Sequence, residues 1–131
     1  MRPAGPPPIA MATEHDVRQI IATLPDTSEL LSAGAPYFRV SRRGFAKLRQ
    51  NPEALVVHTR DLEEKDAMLR AAPEKFFTSP HYEGAPNVLV RLAAVDVDEL
   101  TDLLVASWRV RAPEELRARF DQGLDARSGS Q

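Results

Sequence analysis

Hydrophobic positions recur with helical spacing in the first segment of the chain that has a clear pattern. Its apolar residues follow the i, i+3, i+4, i+7 spacing of one helix face: Val17, Ile20, Ile21 and Leu24. Thr13 and Asp16 have the spacing of an N-terminal capping box, and Pro25 ends the pattern. The segment therefore predicts a helix that buries one face.

Short apolar runs separated by turn residues follow this helix. Before the next helical segment they predict four strands: Glu29–Ala33, Tyr37–Val40, Phe45–Arg49 and Ala54–Thr59. The connections between them are short and contain Gly, Pro or Asn, which is typical of antiparallel hairpins. Two later runs, Lys75–Thr78 and Asn87–Leu92, predict two more strands around a loop with two prolines and a glycine.

Helical patterns return in Asp61–Ala71 and Asp96–Trp108, and each has an aspartate as its first residue. In the first of these we expect four residues to face the core: Leu62, Met68, Leu69 and Ala72. In the second one stripe is predicted to be buried: Val97, Leu100, Leu103, Leu104, Ser107 and Trp108. Pro113 suits the first turn of a short final helix that carries Leu116 and Phe120.

The order helix, strands, helix, strands, helix predicts an α+β fold of two layers, an antiparallel sheet with helices on one face. The other face is expected to be partly exposed and available to a partner. This pattern places the domain at residues 13–120. Residues 1–12, with four prolines, and residues 121–131, polar and small, are predicted to be disordered tails, with Met11 an alternative start to Met1.

The composition excludes several classes of function. The chain has 131 residues, the usual size of one domain, and its 17 Lys+Arg against 19 Asp+Glu give a net charge of −2. This charge gives no global attraction to nucleic acid or membrane, so such a role requires a local patch. The chain has no cysteine, and no apolar run reaches the roughly 18 residues of a membrane span. We expect a cytoplasmic monomer that does not bind membranes.

Motifs for common chemistry are absent from the sequence. There is no phosphate-binding glycine loop, no HExxH zinc motif and no GxSxG nucleophile motif. His15, His58 and His81 each lack a second ligand at metal-binding spacing, and the acidic clusters lie where they stabilise helix N-termini. We therefore expect no metal, no cofactor and no catalytic residues, hence a protein that is not an enzyme.

The segment from Tyr37 to Arg49 is basic and contains no carboxylate. Its cations are Arg39, Arg42, Arg43, Lys47 and Arg49. If residues 37–40 and 45–49 pair as a hairpin, Arg42 and Arg43 occupy the tip and the others alternate outward from the sheet. Such a hairpin can contact the phosphates of DNA, and the alternative is an edge hairpin whose charges prevent aggregation.

The loop Ser79–Gly84 places His81, Tyr82 and Glu83 side by side. With Arg109, His81 and Tyr82 form a candidate ligand-binding site. The alternative is a turn in which Tyr82 packs down and His81 faces water.

Several short motifs in order and spacing resemble the MmcQ/YjbR family over about residues 13–118. They are Leu24-Pro25, Gly34-x-Pro36-x-Phe38-Arg39-Val40, Phe45-Ala46, Ala72-Pro73-x-x-Phe76, His81-Tyr82-x-Gly84, Val88–Leu92, Asp98-Glu99-Leu100, Ser107-Trp108 and Ala112-Pro113. The resemblance implies the order α-β(3)-α-β(2)-α, similar to secretion chaperones, one strand fewer than the apolar runs predict. It also implies a DNA-binding protein of the double-wing type.

Three hypotheses follow from the sequence. The leading one is a non-enzymatic protein that binds double-stranded DNA weakly and without sequence preference through the basic hairpin. The second is a protein- or peptide-binding module that uses the exposed sheet face. The third is a small-molecule binder near His81, Tyr82 and Arg109.

Overall fold

A computed structural model describes residues 11–50 and 53–129, and for residues 124–129 it describes the helical backbone alone. The elements are α1 Glu14–Ile21, β1 Thr27–Ser32, β2 Ala35–Val40, β3 Arg43–Arg49, β4 Ala54–His58, α2 Leu62–Ala71, β5 Phe76–Phe77, β6 Asn87–Arg91, α3 Val97–Arg111 and α4 Glu114–Gly129. Two 3-10 turns lie at Pro80–Tyr82 and Leu92–Ala94. No helix in the described ranges is long and apolar enough to cross a membrane.

The strands form one antiparallel sheet in the order β1-β2-β3-β4-β6-β5. Helix α3 lies across β3 and β4, and α1 packs against α3. The predicted α+β architecture with an antiparallel sheet is confirmed. Four strands precede α2, one more than in the order implied by the family resemblance, because Thr27–Ser32 pairs with β2 along its whole length.

The start of the domain agrees with the capping pattern. The Thr13 hydroxyl accepts a hydrogen bond from the Asp16 backbone N–H, and the Asp16 carboxylate accepts one from the Thr13 backbone N–H. Ala12 is also buried, and its N–H donates to the Val95 carbonyl at 3.0 Å. Packing therefore begins one residue before the predicted boundary. Residues 1–10 of the predicted N-terminal tail lie outside the described residues.

The C-terminal boundary requires a larger correction. Helix α4 does not end near Phe120 but continues to Gly129. Asp121, the first residue of the predicted disordered tail, forms an ion pair with Arg109 at 2.7 Å. The structure thus has residues 121–129 in helix α4, where the sequence predicted a disordered tail. Residues 130 and 131 lie outside the described residues.

Helix α2 agrees with the predicted face only in part, because Met68 and Leu69 pack against the core but Leu62 does not. Leu62 is 47% exposed, whereas Lys65 is the residue of this helix that is buried. The helix packs against the short strand β5 near one edge of the sheet. An edge position covers little of a helix, so apolar spacing alone overestimates its burial. Val97 at the start of α3 is likewise exposed, contrary to expectation.

The main core lies between the sheet and α1, α3 and α4. Trp108 is fully buried in it, and its indole N–H donates to the Pro25 carbonyl at 3.1 Å. The Phe120 ring lies 4.9 Å from the Trp108 ring. The predicted core role of Trp108 is therefore confirmed, and the indole ties α3 to the turn after α1.

Trp108→Ala is expected to lower the free energy of unfolding by about 3 to 5 kcal/mol, because it leaves a large cavity and an unpaired Pro25 carbonyl. Leu62→Ala, on an exposed side chain predicted to be core, is expected to cost less than about 1 kcal/mol. Urea denaturation of both variants measures the difference. Similar losses in the two variants would contradict the assigned core.

Candidate functional site

The register of the hairpin decides which of its cations share a face. Phe38 and Leu48 are buried against the helices, so their neighbours Arg39, Lys47 and Arg49 lie on the opposite side of the sheet, called here the outer face. This is the arrangement that alternation predicted for these three residues. Lys47 and Arg49 are two residues apart on β3.

The other two hairpin cations occupy different positions. Arg42 is exposed in the two-residue turn between β2 and β3. Arg43 is also exposed, but it pairs with the core residue Val40 and so lies toward the helical side, near Arg111. Among the described carboxylates, none forms an ion pair with any of the five hairpin cations.

Arg91 joins the outer face, although the sequence analysis did not identify it. It pairs with Ala54, which in turn pairs with Arg49, so the two arginines lie two strands apart. Its guanidinium is 4.2 Å from the centre of the Phe77 ring. The alternation of β6 places Arg91 on the same face as Leu89. The sequence alone does not show that Arg91 lies near the hairpin, because this depends on the pairing of β6 with β4.

The strands β3 and β4 separate at one end of the sheet. Their ladder begins at the pair Ala46 and Val57, and beyond it the side chain of Ser107 lies between the two strands. Its hydroxyl donates to the Phe45 carbonyl at 2.5 Å and accepts from the His58 backbone N–H at 2.8 Å. Helix α3 thus supplies the hydrogen bonds that a closed ladder would make.

One helical turn after Ser107, Arg111 reaches the same opening. Its Nε–H donates to the Gly44 carbonyl at 2.9 Å. Burial lowers the pKa of Arg111, and the charge of Arg43 acts in the same direction. In the sequence, this opening is indicated only by two polar residues, Ser107 and Arg111, at i and i+4 near the end of the apolar stripe of α3.

A pocket of about 170 Å³ lies beside this opening and is called here the sheet pocket. Its lining consists of Tyr37, Gly44, Ala46, Lys47, Val56, His58, Tyr82, Asn87 and Arg111. The Tyr37 ring lies directly over Gly44, since a Cβ at position 44 would stand 2.1 Å from the phenol oxygen. The sheet pocket therefore requires glycine at this position.

The wall that carries Tyr82 is fixed from α2. Lys65 is 4% exposed, and its ammonium group donates to the carbonyls of Tyr82 at 2.7 Å and Ala85 at 2.8 Å. Burial lowers the pKa of Lys65, while Asp66 and Glu83 oppose this effect. The neighbouring His81 is exposed, with its ring edge-on to Tyr82.

His58 lies between the sheet pocket and a second pocket of about 330 Å³. Burial lowers the pKa of His58 to about 4, with the charges of Arg111 and Arg43 adding to the effect. Arg109 lines the second pocket, whereas Tyr82 lines the sheet pocket. The structure therefore does not bring His81, Tyr82 and Arg109 into one site, because α3 places Arg109 on the other side of His58.

The acidic and histidine side chains are not arranged for metal binding in the part of the chain that the structure describes. No group of three or more of them there could hold a metal ion. The charged residues that line the sheet pocket are the cations Lys47 and Arg111.

Comparisons with known proteins point to one family. The family model YjbR matches residues 22–110. The chain is 32% identical over 124 residues to the uncharacterized proteins Mb2600 of Mycobacterium bovis and Rv2570 of Mycobacterium tuberculosis, with 84% of this chain and 96% of each relative covered. The crystal structure of DR2400 from Deinococcus radiodurans, with a DUF419 domain, has a TM-score of 0.65 and 25% identity, covering 75% of this chain and 77% of that one.

Ser107→Ala is expected to lower the free energy of unfolding by about 1 to 3 kcal/mol, because the Phe45 carbonyl and the His58 N–H both lose their partner. Thr101→Ala removes an exposed hydroxyl from the same helix and serves as the control, with a change of less than about 1 kcal/mol. Urea denaturation compares them. Equal effects would show that Ser107 does not join the strands.

The stability of the protein is expected to fall as the pH drops from about 6.5 to about 4. In this range His58 of the unfolded chain binds a proton, whereas the partly buried His58 of the folded protein stays neutral until the pH reaches its pKa of about 4. The unfolded state then binds more protons, which favours unfolding. Urea titrations at several pH values measure this slope. In His58→Gln the slope above pH 5 should become smaller, and an unchanged slope would contradict a neutral His58 in the folded protein.

Proposed function

The chain belongs to the YjbR family, and we propose that it is a non-enzymatic DNA-binding protein whose outer sheet face contacts duplex phosphates. The observation that supports this function is the placement of Arg39, Lys47 and Arg49 on one face with Arg42 at the adjacent tip. A phosphate backbone is bound by positive side chains that are accessible on the surface of the folded protein. Arg91 extends the same face by two strands.

The distribution of charge supports the proposal better than the net charge does. Strands β2 and β3 contain no Asp or Glu, while acidic residues concentrate in α2 and in the first turns of α3. The helices cover the opposite face of the sheet. Positive and negative charges therefore lie on different parts of the surface. A polyanion would be attracted to the outer face and repelled from α2.

The expected affinity is weak. About four or five phosphate contacts without groove recognition correspond to a dissociation constant on the order of micromolar or higher. Such contacts carry no base information, and binding is expected to be similar for duplexes of different sequence. It is also expected to decrease with salt, because each contact releases a counterion.

The outer face offers less support for a protein or peptide partner. Its central apolar residues Ala54, Val56 and Leu89 are buried, with Phe77 and Tyr82 packed over them. Exposed large apolar side chains in the strands are confined to Leu30 and Leu31 at the edge strand β1. The centre of this face is therefore cationic and aromatic.

Arg42→Glu with Arg49→Glu is expected to weaken duplex binding and to reduce the slope of log affinity against log salt by about two, from a wild-type value near −4. Fluorescence anisotropy with a labelled duplex at several salt concentrations measures this. Neither residue forms a described ion pair, so the unfolding midpoint should hardly change.

The matched control carries the same charge change on the helices, at the exposed residues Arg70 and Arg119. It is expected to retain most of the affinity. Equal losses in the two double variants would show that net charge alone matters. An absence of salt-dependent binding by the wild type at about 50 mM salt and tens of micromolar protein would overturn the proposal.

A further inference from the structure

We propose that the sheet pocket binds a small organic anion, a carboxylate or phosphate carried on an apolar body of about the size of a benzene ring. The site differs from the DNA contacts proposed above, although Lys47 belongs to both. Its ligand would enter between Tyr37 and Tyr82 and place its anionic group toward Arg111.

Positive charge in the sheet pocket is not balanced by a carboxylate. Lys47 and Arg111 line the pocket, and Arg43 lies close enough to Arg111 to act on it, whereas the lining contains no Asp or Glu. Arg111 uses Nε for the Gly44 carbonyl, and its two terminal nitrogens make no hydrogen bond within the described chain. A partly buried cation without a counter-ion is unfavourable, so a bound anion would stabilise this arrangement.

The remaining polar groups of the pocket suit an anion as well. Tyr37 and Tyr82 each carry a phenol hydroxyl and Asn87 carries an amide, all of which can donate hydrogen bonds. The His58 ring is neutral near pH 7 and therefore offers one N–H donor without adding charge. Specific small-molecule sites commonly combine a few such groups with apolar walls.

The size and the apolar surface of the pocket define the rest of the ligand. Ala46 and Val56 contribute aliphatic surface, and the two tyrosine rings contribute aromatic surface. A volume of about 170 Å³ is close to that of cavities known to take benzene, roughly 150 Å³. Inorganic phosphate alone would leave much of this surface without contact.

The walls are held in place before any ligand binds. Ser107 keeps β3 and β4 apart, Arg111 is oriented by the Gly44 carbonyl, and Lys65 secures the backbone at Tyr82. Tyr37 is positioned over Gly44, where no side chain competes for space. A site whose groups are already ordered loses less conformational entropy on binding.

The test is a titration of the folded protein with benzoate and with phenyl phosphate, followed by NMR chemical shifts. Benzamide, which has the shape of benzoate without its charge, is the ligand control. At least one of the two anions is expected to bind with a dissociation constant of about 1 mM or below, at least tenfold tighter than benzamide. The shifts are expected at Tyr37, His58 and Asn87.

Asn87→Asp places a negative charge in the pocket with little change in shape, and is expected to weaken anion binding at least tenfold. Gln19→Glu, which adds the same charge on the exposed surface of α1, is expected to leave it unchanged. If Asn87→Asp fails to fold, Lys47→Met removes a lining charge while keeping the apolar stem. It is then expected to weaken anion binding severalfold.

Three results would overturn the inference: no shift with either anion at about 20 mM, benzamide binding as tightly as benzoate, or an Asn87→Asp variant that binds as the wild type does. Inorganic phosphate that binds as tightly as phenyl phosphate would overturn the organic part of the ligand assignment. Arg42 and Arg49 do not line the pocket, so the duplex experiment above can fail while this one succeeds, and the reverse.

Discussion

The hydroxyl of Ser107 satisfies two backbone groups on strands that do not pair with each other at that point. Without this hydroxyl, the Phe45 carbonyl and the His58 N–H would both lack a hydrogen-bond partner, because β3 and β4 do not pair with each other at this point. The two strands can therefore separate here without leaving unpaired backbone groups. The position of Arg111 and the room for the sheet pocket depend on this separation.

The electrostatic arrangement separates two tasks on neighbouring surfaces. The outer face presents several cations spread over neighbouring strands, which suits a polymer of phosphates, whereas the sheet pocket presents a partly buried Arg111 suited to one small anion. Lys47 lies where the two regions meet. Occupation of the pocket would neutralise charge close to the hairpin, so the two proposed ligands would compete electrostatically even without touching each other.

Local pattern was sufficient for most of the fold. The capping box at Thr13, the stripe that ends at Trp108 and the hairpin around Arg42 depend on neighbours in sequence, and all three agree with the structure. The sheet pocket could not be predicted in this way, because its residues come from six elements: β2, β3, β4, the 3-10 turn at Pro80–Tyr82, β6 and α3. They meet through the strand order β2-β3-β4-β6 and the docking of α3. The burial of Lys65 likewise depends on two carbonyls some twenty residues away.

The contact between Tyr37 and Gly44 has a consequence for how relatives can diverge. A Cβ at position 44 would overlap the Tyr37 phenol. The Tyr37 ring can therefore occupy its place over the strand only when residue 44 is glycine. Neither position can change freely alone. Family members that carry a side chain at position 44 should therefore have a small or differently shaped residue at position 37, so the pair would appear in an alignment as two columns that vary together.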